Sequence, residues 1–342
     1  MSRGLIAIGI VIAAGYSNPA RGQVSATTLV IGLENVVEYQ VDTTDLSKWG
    51  TNPNITPGSI AKGTGVGCVG VPIVGYGDIV SVNGQPARGT WAVRGTSVCM
   101  RPTPTPGLFV IADSTWNSKR DETFELLQSD GTPVGTIMTI GLNSGSPTPP
   151  GPPAGGRNLA IVGGTGAFFG ARGQGGVRSV LLPGATTERT ASITEDPANR
   201  RKNGGGHILA VLYVIPMSWP TVVTTANGPA VTHSNDFSLV SSAKPASAGE
   251  VLSLFATGLG PTRASLSPGQ PFPSSPVAAV NSPIDVTVNG KSAEVLAAVG
   301  YPGTVVGYQV NFRVPPDTPK GSSSLQVTAA WISGPPVSIT VQ

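Results

Sequence analysis

Charge is scarce in this chain. Asp, Glu, Lys and Arg make up 11% of its 342 residues, against about 25% in ordinary globular chains, so Ser, Thr, Asn and Gly must carry much of the contact with water. The 21 basic and 18 acidic residues leave a net charge of +3 without a long run of either sign. The one basic triplet, Arg200-Arg201-Lys202, precedes Asn203 and three glycines and reads as a solvated turn. No nucleic-acid partner is indicated. Two histidines (His207 and His233) and two cysteines (Cys68 and Cys99) do not make a ligand set, so no metal is expected. Beyond the N-terminus no apolar run approaches the roughly 20 residues that span a bilayer, so no membrane span is expected.

Glycine and proline, at 46 and 32 residues, are abundant, and hydrophobic residues at 39% are still enough to build cores. Short Val, Ile, Thr and Leu runs punctuated by Gly and Pro indicate an all-β protein. Residues 1–22 read as an export signal: Arg3 supplies the positive start, Gly4 to Ala14 the apolar stretch, and Ala20-Arg21-Gly22 the small residues of a cleavage site. Cleavage is expected before Gln23, with Ala26 the second choice, which gives a secreted or cell-surface protein. In that oxidising setting Cys68 and Cys99 either form a disulfide or remain two buried thiols. Their spacing does not choose between these.

Residues 23–217 carry strand patterns from Thr28 to Leu33, Val36 to Val41, Asp78 to Val82, Gly107 to Ala112, Glu122 to Gln128, Val134 to Leu142, Leu159 to Val162, Val177 to Leu182 and His207 to Ile215. Asn83-Gly84 and Asp130-Gly131 are hairpin pairs suited to φ > 0. An eight-stranded antiparallel barrel accommodates this set and leaves no exposed edge. Asn143 to Asn158 has the composition of a linker, but the strands after it are needed to close the sheet, so it reads as a loop within the barrel. His207 to Ile215 is apolar on both faces, which predicts that a neighbouring subunit or the second domain covers its outside. Residues 218–342 hold further short strands, with Asn289-Gly290 as a hairpin turn, and predict an immunoglobulin-like β-sandwich.

The stretch from Leu159 to Gln174 contains Gly163-Gly164-Thr165-Gly166, which after a strand suggests a dinucleotide-binding turn. The spacing fails, because the third glycine of G-x-G-x-x-G would fall on Phe169, and the glycine-rich run after it cannot propagate a helix. No cofactor is expected. With Gly173, these residues instead form a structural motif in which glycine permits close backbone approach.

Three landmarks occur in order: Gly77-Asp78-Ile79-Val80, Gly95-Thr96-Ser97-Val98-Cys99, and Ile161 to Gln174. Through them the first half resembles the allene oxide cyclase and dirigent superfamily. The resemblance implies an eight-stranded barrel with an apolar cavity, commonly trimeric, whose members close a ring in an oxidised fatty acid or steer the coupling of phenols. It implies a homotrimer and a hydrophobic or phenolic small-molecule partner. Residue by residue, Cys99 matches a cavity cysteine and Tyr39 an aromatic of the first strand. The acidic position after that aromatic falls on Gln40, which cannot supply negative charge, and an asparagine beyond it falls on Asp42. Asp42 and Cys99 are therefore the catalytic candidates. Tyr39, Gln40, Asp42, Cys99, Phe168 and Arg172 are the ligand-binding ones. Arg172 either contacts an anion or carbonyl in the cavity or bonds turn carbonyls. Phe168 and Phe169 read as core and cavity wall, and Trp91, Trp116 and Tyr39 as the pocket mouth.

The second half resembles a β-sandwich domain that ends many large secreted proteins of soil bacteria, through Gly249 to Pro261 and Gly307 to Pro315. That resemblance implies attachment or display, with Gln309 and Asn311 satisfying loop backbone groups. Three readings of function stand: a barrel that binds an apolar or aromatic small molecule, a cyclising or coupling-directing enzyme in the same cavity, and a structural or adhesive surface protein with a packed barrel.

Overall fold

The computed structural model describes residues 26–40, 71–98, 117–144, 157–178, 189–192, 195–263, 266–267 and 269–342. The first part contains β1 (Thr27–Gln40), β2 (Val71–Val82), β3 (Gln85–Val98), β4 (Asn117–Gln128), β5 (Pro133–Ser144), β6 (Arg157–Gly166), β7 (Arg172–Arg178), β8 (Arg189–Ser192) and β9 (Gly206–Ile215). Eight of these close an antiparallel barrel in the order β2-β3-β4-β5-β6-β7-β9-β1, with β1 returning to β2. The short β8 lies outside the ring, parallel to β1. β5 and β6 pair directly, so the sheet runs on across the linker-like segment. The expected strand at 107–112 lies outside the described residues, as do Asp42, Cys68, Cys99 and Trp116.

Alternation along the strands fills the interior. Ile208, Ala210, Leu212 and Val214 of β9 face inward, as do Phe124 and Leu126 of β4 and Trp91 of β3. Two connections at one end are tight turns. Asn83 and Gly84 take φ of 50° and 77°, the left-handed pair of a two-residue hairpin. Asp130-Gly131 is fixed by the Thr132 amide donating to Asp130 Oδ1 at 2.8 Å. The connections spanning 41–70, 99–116 and 145–156 leave from the opposite end.

The second part contains β10 (Thr221–Val222), β11 (Thr224–Thr225), β12 (Gly228–Pro229), β13 (Val231–His233), β14 (Val251–Thr257), β15 (Ile284–Val288), β16 (Lys291–Gly300), β17 (Tyr308–Arg313), β18 (Gly321–Ala329), β19 (Ile332–Ser333) and β20 (Val337–Val341). All but β11 and β12 join one nine-stranded sheet that curls around its own core, including Leu252, Leu254, Val310, Phe312 and Val327. Gln309 and Asn311 differ from expectation: Asn311 Oδ1 accepts from Gln309 Nε2 and from Ser253 Oγ, both at 2.9 Å, so these amides satisfy side chains rather than loop backbone.

The curled sheet closes the tight-turn end of the barrel. Ala330 and Ile332, at the β18–β19 turn, belong to the barrel's buried core, with Trp219 and Trp331 packed against it. Gln128 Nε2 donates to the Asn281 carbonyl at 2.5 Å, and Arg263 Nη2 to Thr132 Oγ1 at 2.7 Å. The outer face of β9 stays open among the described residues, with Tyr213 45% exposed. The second sheet sits at the barrel's end and not over this strand.

β3 was not legible as a strand, because Pro86, Gly89 and Gly95 interrupt it, and β7 overlaps the expected strand from Val177 to Leu182 only at Val177 and Arg178, because Arg172-Gly173-Gln174-Gly175-Gly176 reads as a turn. At Gly173, φ is 138° and an added Cβ would lie 2.0 Å from the Tyr213 carbonyl oxygen of β9. The backbones meet too closely for any side chain. Gly163 has nothing within 4 Å of the equivalent position. Gly173→Ala is therefore expected to cost about 3 kcal/mol or more, and Gly163→Ala to stay within about 0.5 kcal/mol of the parent, as read from urea unfolding midpoints.

Candidate functional site

β1 carries one residue more than its neighbours can pair. Leu29, Ile31 and Leu33 face the interior, then register shifts on both sides of Asn35 reverse the alternation. Asn35 takes φ of 51°, a left-handed geometry that Asn tolerates better than most residues. After it Val36 and Glu38 face inward, while Val37 and Tyr39 turn out to pack with Ala191 of β8. The bulge is held from outside. Asn35 Nδ2 donates to Asp78 Oδ2 at 2.9 Å, and Arg200 reaches the Asn35 carbonyl at 2.7 Å and Asp78 Oδ1 at 2.6 Å. Arg201 adds a bond from Nε to Asp78 Oδ2 at 3.0 Å. The basic triplet thus belongs to a short helical turn, Arg200–Asn203, that braces the barrel. It is not simply solvated. Burial alone would raise the Asp78 carboxyl, but hydrogen bonds from Arg201, Arg200 and Asn35 outweigh it and hold it at about 2.

Turned inward, Glu38 meets Arg120 of β4. Both Arg120 terminal nitrogens donate to the Glu38 carboxylate, the Nη2–Oε2 contact being 3.1 Å. Beside them Trp91 Nε1 donates to Glu122 Oε2 at 3.1 Å. Glu38 is 3% exposed, Arg120 1% and Glu122 1%. Close approach requires glycine nearby: a Cβ on Gly95 would stand 2.6 Å from the Lys119 carbonyl oxygen and 3.1 Å from Arg120 Cγ, and one on Gly75 would stand 2.6 Å from Val93 Cγ1. Thr139, opposite Glu122 in the β4–β5 register, also faces inward, and its buried hydroxyl has no hydrogen-bond partner among the described residues. The barrel is therefore apolar from its middle to the tight-turn end and polar toward the end with the longer connections.

Among the described residues this arrangement encloses two carboxylates with one guanidinium, one indole N–H and one hydroxyl. Charge placed there costs several kcal/mol of desolvation unless it is paired. Such a layer can orient a hydroxyl or carbonyl, or stabilise positive charge developing on a bound molecule. Among the described residues no cluster of His, Cys, Asp and Glu suits a metal.

Of the residues expected from sequence, Asp42 and Cys99 lie outside the described residues, and Tyr39 and Arg172 lie outside the polar layer. Tyr39 faces the outer side of β1 under β8, where burial, then the nearby Glu195 charge, raises its hydroxyl above the ordinary phenol range. That hydroxyl has no partner among the described residues. Gln40 pairs through its backbone with Ile73 and Ser192. Arg172 is exposed on the outer face and donates to the carbonyls of Val162 at 3.1 Å and Ala171 at 2.9 Å, the turn-bonding arrangement. Phe168 is core, whereas Phe169 is 67% exposed. Trp91, expected at a pocket mouth, lies fully inside. Glu38, Arg120 and Glu122 were missed, although stepping back by twos from Leu126 and Phe124 leads to Glu122 and Arg120.

No family model matches the chain, and no curated protein matches it. Among solved structures, that of a pterocarpan synthase dirigent protein matches over 56% of this chain and 96% of its own, with 15% identity and a TM-score of 0.29.

Removing one partner of the interior pair should cost more than removing both. Arg120→Met alone is expected to lose about 3 kcal/mol, and adding Glu38→Gln to regain at least about 1 kcal/mol, as read in a denaturant double-mutant cycle. The Asp78 brace predicts a pH effect of definite sign. Its carboxyl is depressed on folding from an ordinary 3.8 to about 2, so its stabilisation is complete above pH 4 and fades as pH falls toward 2. Asp78→Asn should flatten that part of the stability profile and lower stability at pH 7 by about 2 kcal/mol.

Proposed function

We propose that this chain is an exported bacterial protein whose barrel binds an apolar or aromatic small molecule through its polar interior layer. In this reading residues 1–22 are removed on export, residues 23–217 form the binding barrel, and residues 218–342 form an immunoglobulin-like attachment module. The observation that carries it is the Glu38–Arg120 pair with Glu122, Trp91 and Thr139, enclosed in an otherwise apolar barrel. Groups buried at that cost are weak evidence of stability, and a few convergent polar groups among apolar walls are what a ligand site provides. With the tight-turn end closed by the curled sheet, a ligand would enter from the opposite end. Apolar walls would hold its body, and the carboxylates and the Thr139 hydroxyl would orient its polar end.

A second reading draws on the two carboxylates: a cyclising or coupling-directing enzyme in which Glu122, held by Trp91, stabilises a developing cation. Asp42 and Cys99 would join that site only if their segments turn inward. The open apolar outer face of β9 supports a homotrimer assembled through the barrel.

The test is native mass spectrometry of the mature protein from culture, before and after organic extraction. One extractable small molecule per barrel is expected, and Glu122→Gln should release it at least about tenfold more readily. An empty barrel that also ignores a panel of fatty acids and phenols would remove the binding reading. The same spectrum reports whether three chains associate.

A further inference from the structure

Where the curled sheet meets the barrel, an open groove of about 710 Å³ runs between the two, within the roughly 300–1,000 Å³ usual for small-molecule sites. Asn83 and Gln85 of the β2–β3 hairpin and Gln128 of β4 line its barrel side; Asp285, Ser292 and Trp331 line the other. Several of these groups are already fixed on one atom and open on another. Asn83 Oδ1 accepts from the Val30 amide at 2.8 Å, which leaves Nδ2 to donate. Gln128 Nε2 is spent on the Asn281 carbonyl, which leaves Oε1 to accept. Asp285 Oδ1 accepts from Ser292 Oγ at 2.6 Å, which leaves its second oxygen.

Trp331 is the unusual member. It and Ala330 occupy the centre of the two-residue β18–β19 turn with φ of 61° and 50°, a left-handed geometry costing about 1–2 kcal/mol at each side-chain-bearing residue. Asn-Gly serves such turns without that cost, as at Asn289-Gly290. Burial of Ala330 at the barrel end accounts for the turn's position. The Trp331 indole packs in part on the barrel core and is otherwise partly exposed over the groove.

We infer that this groove is a saccharide-binding site, in which a sugar ring stacks on Trp331 and its hydroxyls bond Asp285, Asn83, Gln85 and Gln128. The chemistry narrows the ligand class. No lysine or arginine is among the described residues lining the groove, so a phosphate, sulfate or nucleic acid would meet only Asp285. The groove's surface is about equally polar and apolar, so a wholly apolar ligand would strand the amides and hydroxyls. One aromatic face amid amide donors and acceptors and a single carboxylate suits a neutral polyhydroxylated ring. The site is separate from the barrel interior and does not depend on the function proposed for it.

The test is calorimetric titration of the full mature chain with cellohexaose, xylohexaose, maltohexaose and chitohexaose, alongside sedimentation with insoluble cellulose and chitin. The two arms distinguish a free oligosaccharide from a polysaccharide surface. At least one probe should bind, with Kd below about 1 mM for a soluble one. Trp331→Ala and Ser292→Arg should each weaken that binding at least about tenfold. Ser292 lies on the exposed rim, so its arginine variant should retain the parent's unfolding midpoint even if Trp331→Ala loosens the junction. Failure of all six probes, or undiminished binding by Ser292→Arg, would overturn the assignment.

Discussion

The extra residue at Asn35 decides which side chains the barrel encloses, and its position is enforced from outside by Arg200, Arg201 and Asp78. Upstream of the bulge the inward residues are Leu29, Ile31 and Leu33; downstream they are Val36 and Glu38. Unbroken alternation would have put Tyr39 inside and Glu38 outside, because a one-residue change of register exchanges the two faces of a strand. The interior carboxylate, the buried guanidinium that answers it, and the outward Tyr39 beneath β8 all follow from this one irregularity. A brace of charged hydrogen bonds on the outer surface thereby fixes the chemistry within.

Charge is rare in this chain, which makes its placement informative. A barrel of eight strands is normally filled by side chains or shaped around one small ligand. Here the half toward the curled sheet is filled by Trp91, Phe124, Phe168 and Leu126, with Ala330 and Ile332 completing the end. The other half holds Glu38, Arg120 and Glu122, with Gly95 leaving space beside Arg120. Replacing such a layer with packed apolar residues is often neutral or stabilising, so stability alone gives little reason for it.

Much of the fold could be read from sequence. The Asn-Gly and Asp-Gly pairs placed hairpins correctly, and the need to close a sheet anticipated that the strands on either side of residues 145–156 pair. β3 and the start of β7 were hidden because glycine and proline mark turns in isolation, yet here they mark backbones in close approach. The site was less legible. Glu122, Phe124 and Leu126 alternate on one face of β4, but an inward charge is readable only once Phe124 and Leu126 are known to be core. Glu38 was hidden by the bulge, since Asn35 gives no local sign that it adds a residue. The second sheet's contribution was hidden too, because an Ala-Trp pair is no turn signal and only the barrel end explains its burial.

If the polar layer is where a ligand is met, the indole proton of Trp91 lies next to it through its bond to Glu122. The most direct measurement is the indole N–H spectrum of ¹⁵N-labelled protein, with Trp91 assigned from Trp91→Phe, during titration with a phenylpropanoid phenol and a hydroxy fatty acid. The account predicts that a bound probe shifts the Trp91 resonance through its bond to Glu122 while that of Trp219, at the closed end, stays in place. Binding that leaves Trp91 unmoved, or no binding of either probe, would contradict it.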